Sequence, residues 1–149
     1  MNLDEMTLDL EQSVEVSGKI DDVFKSVLHR FGEGNVRPDG VAMELRLEEW
    51  AGGRWYRDRG DGIQHLWGHV QVIKPPTLVE LSGPMFMSYP ALNHLELKLE
   101  EVKNGTKVTL RHRAIGMLAP EHREGVKEGW KAFLELVEGD FSKQSARPA

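Results

Sequence analysis

Pro120 to Phe141 read PEHREGVKEGWKAFLELVEGDF, and within this run Val126, Trp130, Phe133, Leu134, Val137 and Phe141 recur at the i, i+4, i+7, i+8 spacing of one helical face. Lys127, Glu128, Lys131, Glu135 and Glu138 fall largely on the remainder, which makes this the longest amphipathic helix the chain predicts. Pro120 suits the first helical position, where its missing N–H costs nothing, and Glu121 complements the partial positive charge of that end. Burying six large apolar side chains contributes about 10 kcal/mol as an upper bound. Helix propensity supplies far less, so the helix needs a broad apolar surface to lie on.

The upstream sequence has the pattern of such a surface. Leu8, Leu10, Val14 and Val16 alternate with polar residues as in a half-buried strand. Asp21 reads as an N-cap, and Val23, Phe24, Val27, Leu28 and Phe31 then give a short helix that ends near Gly32 and Gly34. Phe31 to Gly40 is a Gly/Asn/Pro-rich loop and a candidate cavity rim. From there the pattern is strand after strand: Val41 to Glu48, Arg54 to Asp58, Ile63 to Lys74, Thr77 to Ser82, and two alternating runs joined by Asn104-Gly105. Pro75-Pro76 cannot donate to a ladder and ends the longest of them. The order strand, helix, about six further strands, long helix predicts an α+β fold in which a curved antiparallel sheet of six or seven strands grips the final helix.

Composition narrows the function. The 149 residues, 40% hydrophobic and 29% charged, suit one domain with a real core, expected over residues 1–141 and followed by a polar tail from Ser142 to Ala149. A formal net charge of −5 argues against nucleic acid or an anionic membrane surface as partner. The absence of cysteine removes disulfides, thiolate metal sites and cysteine nucleophiles, and accords with a reducing cytosol. The opening MNLDEMTLDLEQ has acids where a secretory leader needs a basic patch and an apolar run. No stretch approaches the ~18 apolar residues of a membrane span, and a cytoplasmic protein is expected.

Several residues have chemistry to offer, each with a plainer account beside it. His65 and His69 form an HxxxH pair, but four residues of strand span roughly 13 Å, too far for one metal ion, so no metal site is expected. His122, in EHRE, reads as part of a solvated first turn. His112 continues the apolar face of Val108 and Leu110, so it is either a core histidine satisfied by one hydrogen bond or a ligand contact. Trp55, Trp67 and Trp130 suit either core packing or a pocket for a flat organic molecule. Alternation leaves open which face of the Ile63 to Lys74 strand carries Trp67 inward. Arg57 shares the face of Trp55 and could pair with a carboxylate or phenolate, or sit at the surface beside Asp58 and Asp61. The connection GPMFMSYPALN, Gly83 to Asn93, is apolar enough for a lid or an adaptable partner surface, or simply tucks its methionines under the sheet. Gly125 and Gly129 share a helix face at about 1 kcal/mol each relative to alanine, which implies either close approach of another element or room for a ligand. No nucleophile elbow, phosphate-cradling glycine loop or dinucleotide fingerprint is found, and no catalytic residue or cofactor is assigned.

The runs GGRWYRDRGDG (Gly52 to Gly62), HLWGHVQVIKPPTLVEL (His65 to Leu81), NGTKVTLRHRAIG (Asn104 to Gly116) and EHREGVKEGW (Glu121 to Trp130), in this order and spacing, resemble the SRPBCC, or START-like, superfamily. Within it they resemble the branch named after the C-terminal domain of the activator of heat-shock protein 90 ATPase. The resemblance implies a helix-grip fold with a cavity between the long helix and the sheet. The expected function is non-enzymatic binding of a small, largely apolar organic molecule there, with Met43, Trp55, Arg57, Trp67, His112 and Trp130 as lining and Met85 and Met87 as lid. Two alternatives stand beside it: a protein-interaction module akin to a chaperone co-factor, and an enzyme akin to the aromatic cyclases or hydrolases of this fold. The activators that name the branch carry an additional N-terminal domain, for which 149 residues leave no room, so direct chaperone stimulation is not the expectation. Homodimerisation through a sheet edge or the Gly83 to Asn93 connection is a further expectation.

Overall fold

The computed structural model describes residues 2–146. The chain runs α1 (Leu3–Met6), β1 (Thr7–Val16), α2 (Ile20–Phe31), β2 (Arg46–Leu47), β3 (Arg54–Asp58), β4 (Gln64–Lys74), β5 (Leu78–Gly83), β6 (Ala91–Val102), β7 (Gly105–Gly116) and α3 (Pro120–Ala146). The strands form one antiparallel seven-stranded sheet in the order β1-β7-β6-β5-β4-β3-β2, the helix-grip arrangement, with α3 packed against β1 and α2. Each hairpin follows its turn chemistry: β6 and β7 pair without interruption from Ala91↔Gly116 to Val102↔Gly105.

The core lies between the inner sheet face and the helices. All six apolar residues of the α3 stripe are buried, as are Val23, Phe24, Val27, Leu28 and Phe31 of α2. They meet Val16, Val79, Leu81, Leu95, Leu97, Leu99, Val108 and Leu110 from the strands. Polar bonds fix the helices on this surface. Gln12 Nε2 donates to the Lys127 carbonyl at 2.9 Å, and Asp140 on α3 accepts from Ser26 Oγ (2.8 Å) and from both Nε (3.0 Å) and Nη2 of Arg30 on α2. Burial works against the Asp140 charge, but the hydrogen bonds from Arg30 and Ser26 outweigh it and hold the carboxyl below its usual range.

Three expectations need correction. The strand expected over Val41 to Glu48 is reduced to Arg46–Leu47, because the preceding backbone bonds to the loop before it instead: Arg37 N–H to Val41 O, Met43 N–H to Asn35 O and Leu45 N–H to Gly32 O. The segment stays extended enough to bury Leu45, yet it belongs to the rim and not to the ladder. Helix α2 begins earlier than expected, with Lys19 at the cap and no side-chain cap bond, and Asp21 lies in the first turn, where its charge complements the helix dipole. Helix α3 continues past Phe141 to Ala146. The tail expected over Ser142 to Ala149 therefore begins as helix, and its last three positions, 147–149, lie outside the described residues.

Candidate functional site

Between α3 and the β3–β4 end of the sheet lies a cavity of about 560 Å³. Its sheet wall carries Trp55 and Arg57 from β3 and His65 and Trp67 from β4. Its helix wall carries His122, Gly125, Val126, Gly129, Trp130 and Phe133 of α3, and Phe31 closes the end of α2. The rim comes from the 35–38 loop with Met43, and from Met85, Phe86 and Ser88 of the β5–β6 connection. Aromatic contacts join these walls: Phe31 packs edge-on to Trp55 (5.5 Å between ring centres), Trp55 to Trp67 (5.2 Å), and Phe31 lies 4.6 Å from Phe133. Trp55 is locked by its indole N–H, which donates to the Phe31 carbonyl at 2.8 Å.

The orientation of β4, open in the alternation, is settled by two bulges. Trp55 pairs with Gly68 and Tyr56 with Leu66, so Trp67 is the extra residue; Val70 pairs with Leu81 and Val72 with Glu80, so Gln71 is another. Each bulge reverses the period, which brings His65, Trp67, Val70 and Ile73 to the inner side although they are not two apart throughout. Gly68 allows the crossing: a Cβ there would lie 2.5 Å from the Ser82 carbonyl oxygen. His69 is exposed beside Arg54, on the face away from His65. No cluster of three or more His, Asp or Glu able to hold a metal occurs among the described residues.

Of the eight residues expected at the site, Met43, Trp55, Arg57, Trp67, Met85 and Trp130 border this cavity, whereas His112 and Met87 do not. His112, with no exposed surface, sits behind Trp130. Its Nδ1 accepts from Trp130 Nε1 (3.0 Å), so the ring proton is on Nε2, which donates to Asn93 Oδ1 (2.7 Å). Burial lowers its pKa from 6.5 to about 4, which keeps it neutral, a satisfied core histidine. Asn93 Nδ2 in turn donates to the carbonyls of Gly83 (3.1 Å) and Pro84 (3.3 Å). Met87 is 4% exposed, with its sulfur 3.5 Å from that amide, so it anchors the connection and covers nothing. Met85 is pinned by its N–H to the Trp67 carbonyl (2.8 Å), and Phe86 is the ring that reaches over the cavity, 5.9 Å from Trp67.

His122 also departs from expectation. It is partly buried, stacked on Tyr89 with Nδ1 2.7 Å from the phenol oxygen, and edge-on to Phe86 at 5.3 Å. Nothing in EHRE announces this, because the aromatic partners arrive from the connection before β6. For the glycine pair, whose two readings the sequence leaves open, a Cβ on Gly125 or Gly129 would meet nothing within 4 Å, so these glycines leave space beside the cavity and do not admit a close neighbour.

No curated protein matches the chain in sequence. Among solved structures it is similar to the di-domain ARO/CYC StfQ from the steffimycin biosynthetic pathway, at 14% identity and a TM-score of 0.68, over 97% of this chain and 54% of that one. The chain thus spans about half the length of StfQ. It is similar to a protein of unknown function, SA2116 from Staphylococcus aureus (11% identity, TM-score 0.67, 98% of this chain and 100% of that one). CalU16 from Micromonospora echinospora is likewise similar (18% identity, TM-score 0.61, 93% and 78%). At such identities these likenesses speak to the fold alone. The sequence itself carries the family: residues 27–138 match the model for the Activator of Hsp90 ATPase homolog 1-like protein, and the chain belongs to that family.

Proposed function

We propose that this protein binds a small, largely apolar organic molecule in the cavity between α3 and the sheet, without acting on it. The observation that carries the reading is the space itself. About 560 Å³ bounded by Trp55, Trp67, Trp130, Phe31 and Phe133 is within the size of small-molecule sites, and Gly125 and Gly129 keep large side chains out of it at a cost in helix stability. His122 on the helix wall is already engaged by the Tyr89 phenol, which lies outside the lining, and Arg57 and His65 stand on the sheet wall opposite, so no acid–base constellation is assigned.

Native mass spectrometry of the purified protein, compared with its denatured mass, tests this directly. The expected result is an organic adduct, or uptake of added apolar aromatics at one per chain, lost in Gly129→Leu, whose side chain enters the cavity. Binding that is absent in the wild type, or unaffected by Gly129→Leu, overturns the reading.

A further inference from the structure

We infer that the molecule taken into this cavity is a hydrophobic carboxylate whose anionic group is held by Arg57, an inference that rests on the binding reading above. Arg57 projects from β3 into the cavity and is half-buried, yet its guanidinium has no hydrogen-bond or ion-pair partner among the described residues. Arg30 holds Asp140, Arg54 holds Glu48 and Arg111 holds Asp9, while Arg46, Arg59 and Arg113, which have no ion pair among the described residues, are exposed to water as Arg57 is not. Arg37, the second arginine at the rim, is occupied by Asp39. Among the described residues, no aspartate or glutamate borders the cavity. A positive group among indole rings, removed in part from water and left without a counter-charge, is costly unless an anion completes it.

Trp67 stands in the same wall, 8% exposed and bordering the cavity; its Nε1, without an acceptor among the described residues, is buried beneath that wall, whereas the N–H groups of Trp55 and Trp130 are both satisfied. His65 lies directly across from Arg57 in the β3–β4 ladder. The sheet wall thus offers a guanidinium and an imidazole without a carboxylate, and most of the remaining lining is aromatic or aliphatic, with Asn35, Arg37, Ser88 and His122 as its polar members. This is the complement of a molecule with an apolar body and one planar anionic end. The fork of a guanidinium matches a carboxylate in two parallel hydrogen bonds, which selects carboxylate over a neutral polar group of the same shape.

Calorimetric titration with matched pairs distinguishes the two levels of the argument: naphthoate against naphthamide, and decanoate against decanamide. In the wild type the better-bound carboxylate is expected to bind at least about tenfold more tightly than its amide. Arg57→Gln should bring that ratio close to one with the amide affinity little changed, and Arg57→Lys, which keeps the charge but not the fork, should retain part of the preference. Equal binding of acid and amide by the wild type, or a preference that survives Arg57→Gln, overturns the carboxylate inference and leaves cavity binding standing. Failure of all four compounds to bind the wild type, or binding of both kinds unaltered in Gly129→Leu, overturns both.

Discussion

Trp130 Nε1 donates to His112 Nδ1 across 3.0 Å, and this bond from the long helix fixes the imidazole in its neutral Nε2–H form deep in the sheet. The folded-state pKa near 4 lies below the ordinary 6.5, so as pH falls the unfolded chain takes up this proton first. The contribution of neutral His112 to stability is therefore fully present above pH ~6.5 and is lost as pH falls toward ~4, a loss of up to about 3 kcal/mol. His112→Leu should cost about 2–4 kcal/mol at neutral pH, since the Trp130 N–H and the Asn93 amide oxygen lose their partner. Denaturant melts of both proteins at pH 7 and pH 4.5 check this: the gap between them is expected to narrow in acid. A gap that is independent of pH would mean that folding does not lower the His112 pKa.

The three cavity tryptophans are not equivalent donors, and phenylalanine replacements separate them. Trp130→Phe leaves buried His112 Nδ1 without a donor and should destabilise by about 1–3 kcal/mol. Trp67→Phe removes an N–H that already has no acceptor, so it should stay within about 1 kcal/mol of the wild type. Equilibrium unfolding of the pair reads this difference, and equal losses would show that the Trp67 N–H finds a partner after all.

Arg30 ties three parts of the site together. It grips Asp140 of α3, donates from Nη1 to the Gly34 carbonyl (2.9 Å), and its own carbonyl accepts from Asn35 Nδ2 (3.0 Å), a residue of the cavity rim. A double-mutant cycle of Arg30→Ala and Asp140→Ala is expected to give a coupling of about 1–2 kcal/mol, reduced from a fully buried pair by its partial exposure. Arg30→Ala should in addition weaken ligand affinity by loosening the rim, because it removes the bond to the Gly34 carbonyl, whereas Asp140→Ala, which leaves that bond in place, should do so less; the Asn35 bond, made to the Arg30 main chain, survives in both.

The parts legible in the sequence are those governed by local periodicity. Val126, Trp130, Phe133, Leu134, Val137 and Phe141 announce the buried stripe of α3, and the turns at Asn104-Gly105 and Pro75-Pro76 announce the hairpins. The facing of Trp67 was not legible, because two bulges in β4 break the period of two that such a reading depends on. The place of His122, and the choice between lid and tucked-under anchor for Met87, were not legible for a different reason. Tyr89 and Phe86, which His122 touches, and Met87 itself, which meets Asn93 of β6, lie on a connection whose path no spacing rule specifies. The Val41 to Glu48 run alternates like a strand, but ladder formation needs a partner, and the backbone of the 32–37 loop reached it first.

Gly125 and Gly129 set stability against binding, which yields a prediction of opposite signs. Because a Cβ at either position meets nothing within 4 Å, alanine adds no clash and restores helix propensity. Gly125→Ala with Gly129→Ala should then raise stability by about 1–2 kcal/mol and the melting temperature by several degrees. Larger side chains follow the same path into open space until they occupy it, so Gly129→Leu should fold as well as the alanine variant yet lose the bound molecule. Thermal melts with and without naphthoate compare the two effects. A helix that gains stability from alanine while leucine abolishes ligand-dependent stabilisation would mean that the glycines are kept for the space they leave. Destabilisation by alanine would mean that another surface comes closer to α3 than the cavity geometry allows.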